Sequence, residues 1–201
     1  MQTSRSHLPT SLLISIACAA LFAFHDVRAD PGYHAKGGKV TFTVGSNVPL
    51  LKVSGSSAAV NGGGEGTVNG DTAIITDLRF ELDPKTLKTG MKLRDQHMHE
   101  KVFTAADGSI PPVVLRADRV QAKLNPQTAK WEGRLNGQLT IRGVTRPVSF
   151  TAAAEKNGAG AVVTAQGTVR TSDFGVKPIS YSGATVDDEV TVVVKDLVVA
   201  P

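Results

Sequence analysis

Apolar and polar residues alternate along most of the chain, as is typical of strands that bury one face. Between Thr72 and Asp83, charged residues occupy one parity, and Ile75 is the only violation. The other parity holds Ile74, Thr76, Leu78, Phe80 and Leu82. The same alternation predicts strands over 40–44, 135–141 and 148–152, and further strands are predicted at 49–60, 64–69, 112–124, 160–171 and 188–199. Eight or nine short strands favour an all-β protein, either an antiparallel barrel or a sandwich.

Residues that favour turns separate these segments. Asn61–Gly64, Asn69–Asp71 and Asn157–Gly158 supply the positive-φ positions that tight hairpins need. Arg142–Pro147 predicts another turn, in which proline interrupts the ladder. Only Pro84–Thr104 resists the β pattern. Because its apolar residues fall mostly at helical intervals, we expect a loop with a short helix lying over one end of the barrel.

The N-terminus has the pattern of a secretory signal peptide. Arg5 precedes an uncharged apolar run from Leu12 to Phe24, and Ala29 ends a short stretch suited to cleavage. We therefore predict a signal peptide over 1–29, a single mature domain over 30–201 and a periplasmic location. An alternative is acylation at Cys18, although the residues before it match a lipoprotein signal poorly. The apolar run is too short to span a bilayer, and no later stretch is apolar enough to do so.

Composition and charge exclude several classes of partner and of chemistry. The chain has 201 residues, 20% of them charged, and a formal net charge of +4, which indicates a globular protein and no nucleic-acid partner. Cleavage after Ala29 would leave no cysteine, so disulfides, zinc–thiolate sites and cysteine nucleophiles are excluded from the mature domain. Its core must then be stabilised by packing alone.

The motifs of common enzymes are incomplete. Lys88–Gly90 and Asp173–Gly175 imitate fragments of penicillin-binding and kinase signatures, but their partner motifs are absent, and no serine lies in a G-x-S-x-G elbow. His97 and His99 would suit a metal on an extended segment, but on a helix they diverge and cannot share an ion. We therefore predict no catalytic residue, no metal site and no enzyme. The adjacent charges Arg94 and Asp95 fit either a structural anchor or a headgroup contact.

Several longer runs resemble one known family. KTGMKLRDQHMHEKVF at 88–103, GRLNGQLTIRGVTRPVSFTA at 133–152, VRTSDFGV at 169–176 and DEVTVVVKDLVV at 188–199 are similar to the YceI-like family of exported polyisoprenoid-binding proteins. The resemblance covers roughly residues 38 to 199. Two segments depart from the family pattern, VFTAADGSIPP at 102–112 and the glycine-rich Asn61–Gly70. We expect both departures to alter the mouth of the barrel and therefore the selectivity for a lipid headgroup.

The resemblance implies a lipocalin-like antiparallel β-barrel of about eight strands with a short helical lid. It also implies that the barrel carries a polyisoprenoid, quinone-like or other long-chain lipid for sequestration or transport, with no other cofactor. Parity and the resemblance together predict these ligand-binding residues: Phe42, Val44, Ile74, Leu78, Phe80, Arg94, Asp95, His97, Leu139, Ile141, Phe150 and Phe174.

Small residues on the apolar parity support an interior tunnel over a filled core. If they face inward, the interior lacks the side-chain volume to fill itself. The predicted small set is Thr76, Gly133, Gly137, Ala152, Ala154, Ala165 and Gly167. The alternative is a closed-core barrel that acts as a periplasmic interaction or stress-response protein without a lipid. We expect a monomer or a homodimer in either case.

Overall fold

Ten strands and one short α-helix make up most of the part of the chain that the structure describes. The structure is a computed structural model that describes residues 32–181 and 183–201, so the predicted signal peptide lies outside the described residues. The strands are β1 Gly32–Ser46, β2 Val53–Ser57, β3 Val60–Asn69, β4 Thr72–Leu82, β5 Val113–Asn125, β6 Lys130–Ile141, β7 Val144–Asn157, β8 Gly160–Arg170, β9 Ser180–Tyr181 and β10 Ala184–Ala200. The helix α1 is Lys92–Met98.

Antiparallel pairing closes these strands into a barrel. The order β3-β4-β5-β6-β7-β8-β10 is completed by β1, which pairs with β10 over most of its length. β2 and β3 share the remaining wall position, because β2 pairs with Val40–Val44 of β1 and β3 with the start of β1. The result is the predicted eight-stranded barrel, to which the two-residue β9 adds a short pairing with β10.

The two ends of the barrel differ. At one end, which we call the hairpin end, short turns join β3 to β4, β5 to β6 and β7 to β8. At the other, the lid end, residues 83–112 connect β4 to β5 and 171–179 lead from β8 to β9. The predicted lid segment, 84–104, is confirmed as a 3₁₀ turn at Pro84–Thr86, α1, and a π-helical turn at His99–Phe103.

Three sequence expectations are wrong in detail. Asn61–Gly64 is not a turn but part of β3, paired with β4. The predicted strand 49–60 is a loop up to residue 52 followed by β2. Pro147 does not interrupt the ladder, since β7 continues through it opposite Gln138. Proline is tolerated there because β7 pairs with β8 only from Phe150 onwards, so Pro147 lies on a stretch that is paired on one side only.

Bulges explain the parity violation at Ile75. Asp77 has a φ of 51°, and the pairing of β4 with β3 shifts register around it, from Glu65–Thr76 to Gly63–Arg79. A bulge of this kind exchanges the inward and outward faces of a strand. Ile75 therefore packs on the core beside Leu78, whereas Thr76, expected inside, lies opposite the exposed Arg119.

The seam between β1 and β10 has a bulge of its own. Asp196 has a φ of 52°, and the pairing of β10 with β8 shifts between Val194 and Leu197. Gly38 faces this bulge with a φ of 140°, and a Cβ there would lie 2.8 Å from the Cα of Leu197. Only glycine permits so close an approach in this backbone conformation. The closure of the barrel thus depends on a position without a side chain.

Two apolar clusters hold the structure together. One surrounds Phe174, which is 1% exposed, and joins β5, β6, β7 and β8 in the half of the barrel near the lid end. The other consists of Leu82, Leu87 and Phe103 and attaches the lid segment to the barrel wall. Burying an aromatic or aliphatic side chain contributes about 1.5 to 3 kcal/mol. These two clusters therefore anchor the lid end, while the hairpin end has little side-chain packing inside it.

Candidate functional site

A large cavity occupies the interior of the barrel. Its volume is about 1540 Å³, and its wall extends from Met91 and Leu93 at the lid end to Trp131 and Ala161 at the hairpin end. Pockets for drug-sized ligands measure about 300 to 1,000 Å³. The interior is thus not the packed core of the alternative interpretation, and it has room for a ligand larger than a typical drug.

Nearly all the residues predicted to line the interior border this cavity. They are Phe42, Val44, Ile74, Leu78, Phe80, Arg94, His97, Leu139, Ile141, Phe150 and Phe174. Ile74 lies opposite the exposed Gln121, whereas its neighbour Ile75 lies opposite the buried Val120. Ile75 therefore faces the interior more directly than Ile74. The alternation thus predicted most of the cavity wall. On β4, the bulge at Asp77 turns Ile75 towards the interior, which the alternation did not predict.

Small side chains leave the cavity wide towards the hairpin end. Of the predicted small set, Gly133, Ala152, Ala154 and Ala165 border the cavity. Ala152 lies opposite Gly133 on one side and Ala165 on the other, so three small residues meet at one level of the wall. Thr76, Gly137 and Gly167 do not border the cavity. A Cβ on Gly167 would lie 2.6 Å from the ring of Phe150, so this glycine makes space for an aromatic ring.

Arg94 is one of two cationic residues that border the cavity at the lid end, and Lys177 is the other. It is half-buried in α1 and donates from a terminal nitrogen to the carbonyl of Thr89 at 2.6 Å. Its Nε is buried and has no hydrogen-bond partner among the described residues. A guanidinium carries five N–H donors in a planar fork. Arg94 therefore retains donors for an oxygen-rich or anionic group that enters the cavity.

Asp95, predicted as a polar ligand-binding residue near a headgroup, does not border the cavity. Its carboxylate accepts from the backbone N–H of Thr89 at 2.7 Å and from the Thr89 hydroxyl at 2.5 Å. These hydrogen bonds, the hydroxyl's first, hold the pKa of Asp95 below its usual range. The residue is the structural anchor that the sequence left as an alternative, since it ties the start of α1 to the preceding loop.

The two histidines are separated by the helix. His97 borders the cavity and His99 does not, because the helical backbone turns them to different sides. Within the described ranges, 32–181 and 183–201, no group of three or more metal-ligating side chains is close enough to hold an ion. In the same ranges, no helix is long and apolar enough to cross a membrane.

A second anchor lies across the mouth from the lid segment. The Asp188 carboxylate accepts from the Ser172 hydroxyl at 2.6 Å, the Ser172 backbone N–H at 2.7 Å and the Thr171 hydroxyl at 2.8 Å. The Ser172 hydroxyl is the largest of the influences that lower the pKa of Asp188. This network fixes the turn that inserts Phe174 into the barrel. The motif SDFG therefore has a packing role at the cavity wall.

Sequence reasoning missed several wall residues. Trp131 and Tyr33 border the cavity at the hairpin end, and Met98, Val102 and Phe103 border it at the lid. Trp131 shares the parity of Gly133 and Leu135, so the alternation could have found it. Val190, Val192 and Val194 of β10 also border the cavity, but a nearly continuous run of valines conceals which face points inward. The Trp131 indole N–H is buried without a partner among the described residues.

Fold and cavity together define a lipocalin-like barrel, an antiparallel eight-stranded β-barrel with a roomy apolar interior. The sequence model of the YceI-like domain matches residues 33–195, so the chain belongs to the YceI-like family. Comparison with curated proteins finds no match for the sequence.

Solved structures share this fold at low sequence identity. The Burkholderia cenocepacia protein BcnA is 17% identical, with a TM-score of 0.57, over 82% of this chain and 96% of BcnA. A polyisoprenoid-binding domain from Saccharophagus degradans, implicated in plant cell wall breakdown, is 14% identical, with a TM-score of 0.56, over 84% of this chain and 98% of that domain. The Campylobacter jejuni YceI protein is 16% identical, with a TM-score of 0.51, over 73% and 86% of the two chains.

Proposed function

We propose that this protein binds one long-chain lipid, a polyisoprenoid or a related amphiphile, inside its barrel and sequesters or transports it. The observation that carries the proposal is the cavity of about 1540 Å³ that extends from the lid end to the hairpin end between mostly apolar side chains. An eight-stranded barrel is about wide enough for one slender ligand. The Saccharophagus degradans domain with the same fold, described as polyisoprenoid-binding, supports the choice of ligand class.

Hydrophobic burial supplies ample energy for such a ligand. Each buried CH₂ contributes about 0.8 kcal/mol, so a tail of some forty carbons offers on the order of 30 kcal/mol before ordering costs. Noncovalent affinities saturate near about 20 kcal/mol, so chain ordering and incomplete burial must offset the remainder. A lipid held this tightly would survive purification in aqueous buffer.

The polar groups at the lid end would meet the headgroup. Arg94 offers unused donors to a phosphate, carbonyl or hydroxyl oxygen, and His97 borders the same part of the cavity. We therefore place the headgroup near Arg94 and the tail between the small residues towards the hairpin end. A binding role without catalysis, and export to the periplasm by the predicted signal peptide, complete the proposal.

The direct test is native mass spectrometry of the protein purified from its own host envelope, followed by organic extraction and identification of the released compound. We expect one long-chain amphiphile per chain. Trp131 provides a second measurement, since it is the only tryptophan and borders the cavity. A fluorescent polyene fatty acid should quench its emission at a one-to-one ratio. A protein that is empty on isolation and does not respond to the polyene would overturn the proposal that the cavity binds a lipid.

A further inference from the structure

Large apolar side chains are exposed around the lid end of the cavity. Among the described residues, six large apolar side chains are prominently exposed, and five of them lie at this end. Four border the cavity: Val48, Leu51, Met91 and Leu93. The fifth, Leu50, is 99% exposed, and the sixth, Val68, borders the cavity at the hairpin end. Single exposed apolar residues are ordinary, but a group around one opening marks an interaction site.

Hydrogen bonds hold the two segments that carry these residues in place. The Ser46 hydroxyl donates to the Leu51 carbonyl at 3.0 Å, and the Leu51 N–H donates to the Val48 carbonyl at 3.1 Å. The segment before α1 is joined to β2 by two bonds between the backbones of Ser56 and Lys88, at 2.9 and 3.0 Å. The loop 47–52 and the segment 88–93 therefore flank the same part of the mouth. We call them together the apolar rim.

Leu50 is unfavourable for the isolated protein in two ways. Its φ of 64° lies in the left-handed region that favours glycine or asparagine, and its side chain is in water. Neither feature contributes to folding. A leucine at such a position is explained if its side chain is buried against a partner.

The charge of the apolar rim favours an anionic partner, and the acidic residues that border the same end of the cavity, Asp187 and Asp188, lie on β10 outside the rim. Residues 48–53 and 88–94 contain Lys52, Lys88, Lys92 and Arg94 and no acidic residue. Exposed leucine and methionine side chains beside lysines are the composition of surfaces that insert into the headgroup region of an anionic bilayer. A soluble protein partner would need a matching apolar and acidic surface, whereas a bilayer offers both properties over any area.

We propose that the apolar rim docks onto an anionic lipid bilayer, with Leu50 at the deepest point, and so places the lid end of the cavity against the membrane. The inference extends the proposed function, because it names the surface at which the cargo would be exchanged. Binding to vesicles is measured on protein without a bound lipid. A failure of membrane docking can therefore be distinguished from a failure of lipid carriage.

The test is co-sedimentation with vesicles of phosphatidylglycerol and phosphatidylethanolamine, compared with phosphatidylcholine vesicles. The full chain is expressed and purified from the envelope, so all variants share one N-terminus. Leu50→Asn should weaken binding to the anionic vesicles about ten-fold, because a buried leucine is lost. Its melting temperature should be unchanged or higher, since asparagine suits the left-handed backbone. Val68→Asn, at the opposite end, is the matched control and should bind like the parent protein.

Charge is tested separately. Lys92→Glu should weaken binding at least about five-fold, whereas Lys123→Glu on the outer face of β5 should not. Raising the salt from about 0.1 M to about 1 M shortens the Debye length from about 10 Å to about 3 Å and should release the protein.

Three results would overturn the proposal: no sedimentation with anionic vesicles, equal losses for Leu50→Asn and Val68→Asn, or a dimer in solution that Leu50→Asn converts to monomers without changing vesicle binding. The Trp131 titration with a polyene fatty acid is run on the same samples after any bound lipid has been extracted. Vesicle binding without quenching supports docking and removes the proposed lipid carriage. Quenching without vesicle binding overturns docking alone.

Discussion

Arg94 shows how one side chain combines two of the roles that the sequence suggested. One terminal nitrogen is used by the Thr89 carbonyl, so the residue helps to shape the start of α1. The remaining donors include the buried and unpartnered Nε. A cation at the edge of an apolar cavity is most useful to a ligand that carries a negative or strongly polar end.

Replacing Arg94 should therefore change selectivity for the headgroup more than affinity for the tail. We expect Arg94→Met to bind an isoprenoid phosphate about ten-fold more weakly, because a hydrogen bond to a charged group contributes about 1.5 to 3 kcal/mol. Binding of the corresponding isoprenoid alcohol should change little. Competition against the polyene quenching of Trp131 measures both affinities. Arg146→Met, an exposed change on β7, is the control, and equal losses for both ligands would show that Arg94 is only an anchor of the lid.

Ala152 tests whether the interior is open. It borders the cavity between Gly133 and Ala165. In a filled core, enlarging it to leucine would cost about 1 to 3 kcal/mol through overpacking. In an open cavity, the added carbons gain apolar contacts, so we expect Ala152→Leu to raise the free energy of unfolding by about 1 kcal/mol and to weaken binding of long chains.

Urea unfolding measures the stability of Ala152→Leu. Titration with lipids of increasing chain length measures its binding preference. Thr151→Leu is the matched change on the outer face of the same strand, opposite Arg134 and Gln166. It should leave chain-length preference unchanged. A destabilised Ala152→Leu with unaltered lipid binding would contradict the open interior.

At the scale of elements, the lid segment is attached by local hydrogen bonds and one apolar cluster. Asp95 ties α1 to Thr89, and Leu87 and Phe103 insert beneath it against Leu82 of β4. Lid segments with few attachments open more readily than the strands beneath them. Exchange of a cargo through the lid end would therefore depend on these contacts.

Asp95→Asn should loosen the lid segment in a manner that depends on pH. The folded-state pKa of Asp95 lies below the ordinary value of 3.8, so its charge stabilises the fold above that pH. The stabilisation is lost as the pH falls from 3.8 through the lowered pKa. At neutral pH we expect a melting temperature lower by about 2 to 4 °C and faster release of bound polyene.

The difference between Asp95→Asn and the parent protein should shrink in acid, where the parent carboxylate is protonated as well. Thermal melts across an acidic pH series, together with stopped-flow release of the polyene, measure both effects. Glu100→Gln, exposed in the same segment, serves as the control. A difference that persists unchanged at the lowest pH would mean that the charge on Asp95 is not the cause.

In the molecule as a whole, the two halves of the barrel differ in how well their interiors are packed. The buried clusters lie in the lid half, while glycine and alanine line much of the wall towards the hairpin end. A barrel that is under-filled in this way gains stability from a guest that fills it. Ligand binding adds about 2.7 kcal/mol at a free concentration one hundred times the dissociation constant.

Removing the lipid should therefore lower the melting temperature of the intact protein by about 5 to 10 °C. The measurement is differential scanning calorimetry before and after organic or detergent extraction, followed by re-addition of the extracted compound. Re-addition should restore the original value. If the extracted protein melts at the same temperature as the isolated protein, the cavity does not hold a stabilising ligand.

Local sequence patterns were sufficient to predict most of the strands, most of the cavity wall and the position of the lid. Alternation with period two is a local property, so Val40–Val44 and Leu135–Ile141 could be assigned to strands with an apolar face without knowing their partners. The break in that pattern over 84–104 likewise revealed the lid segment. Residue order in the RDQH, LTIRGVTRPV and SDFG motifs was enough to suggest the family.

Strand pairing and tertiary packing establish which residues face the cavity at the bulges and what covers its mouth. The bulge at Asp77 depends on the pairing of β4 with β3, so no local pattern could show that Ile75 points inward and Thr76 outward. The cavity is a volume between strands, and it exists because Gly133, Ala152 and Ala165 meet across three of them. Likewise, Leu50 and Leu93 are far apart in the sequence, and the backbone pairing of Ser56 with Lys88 brings their segments to one rim.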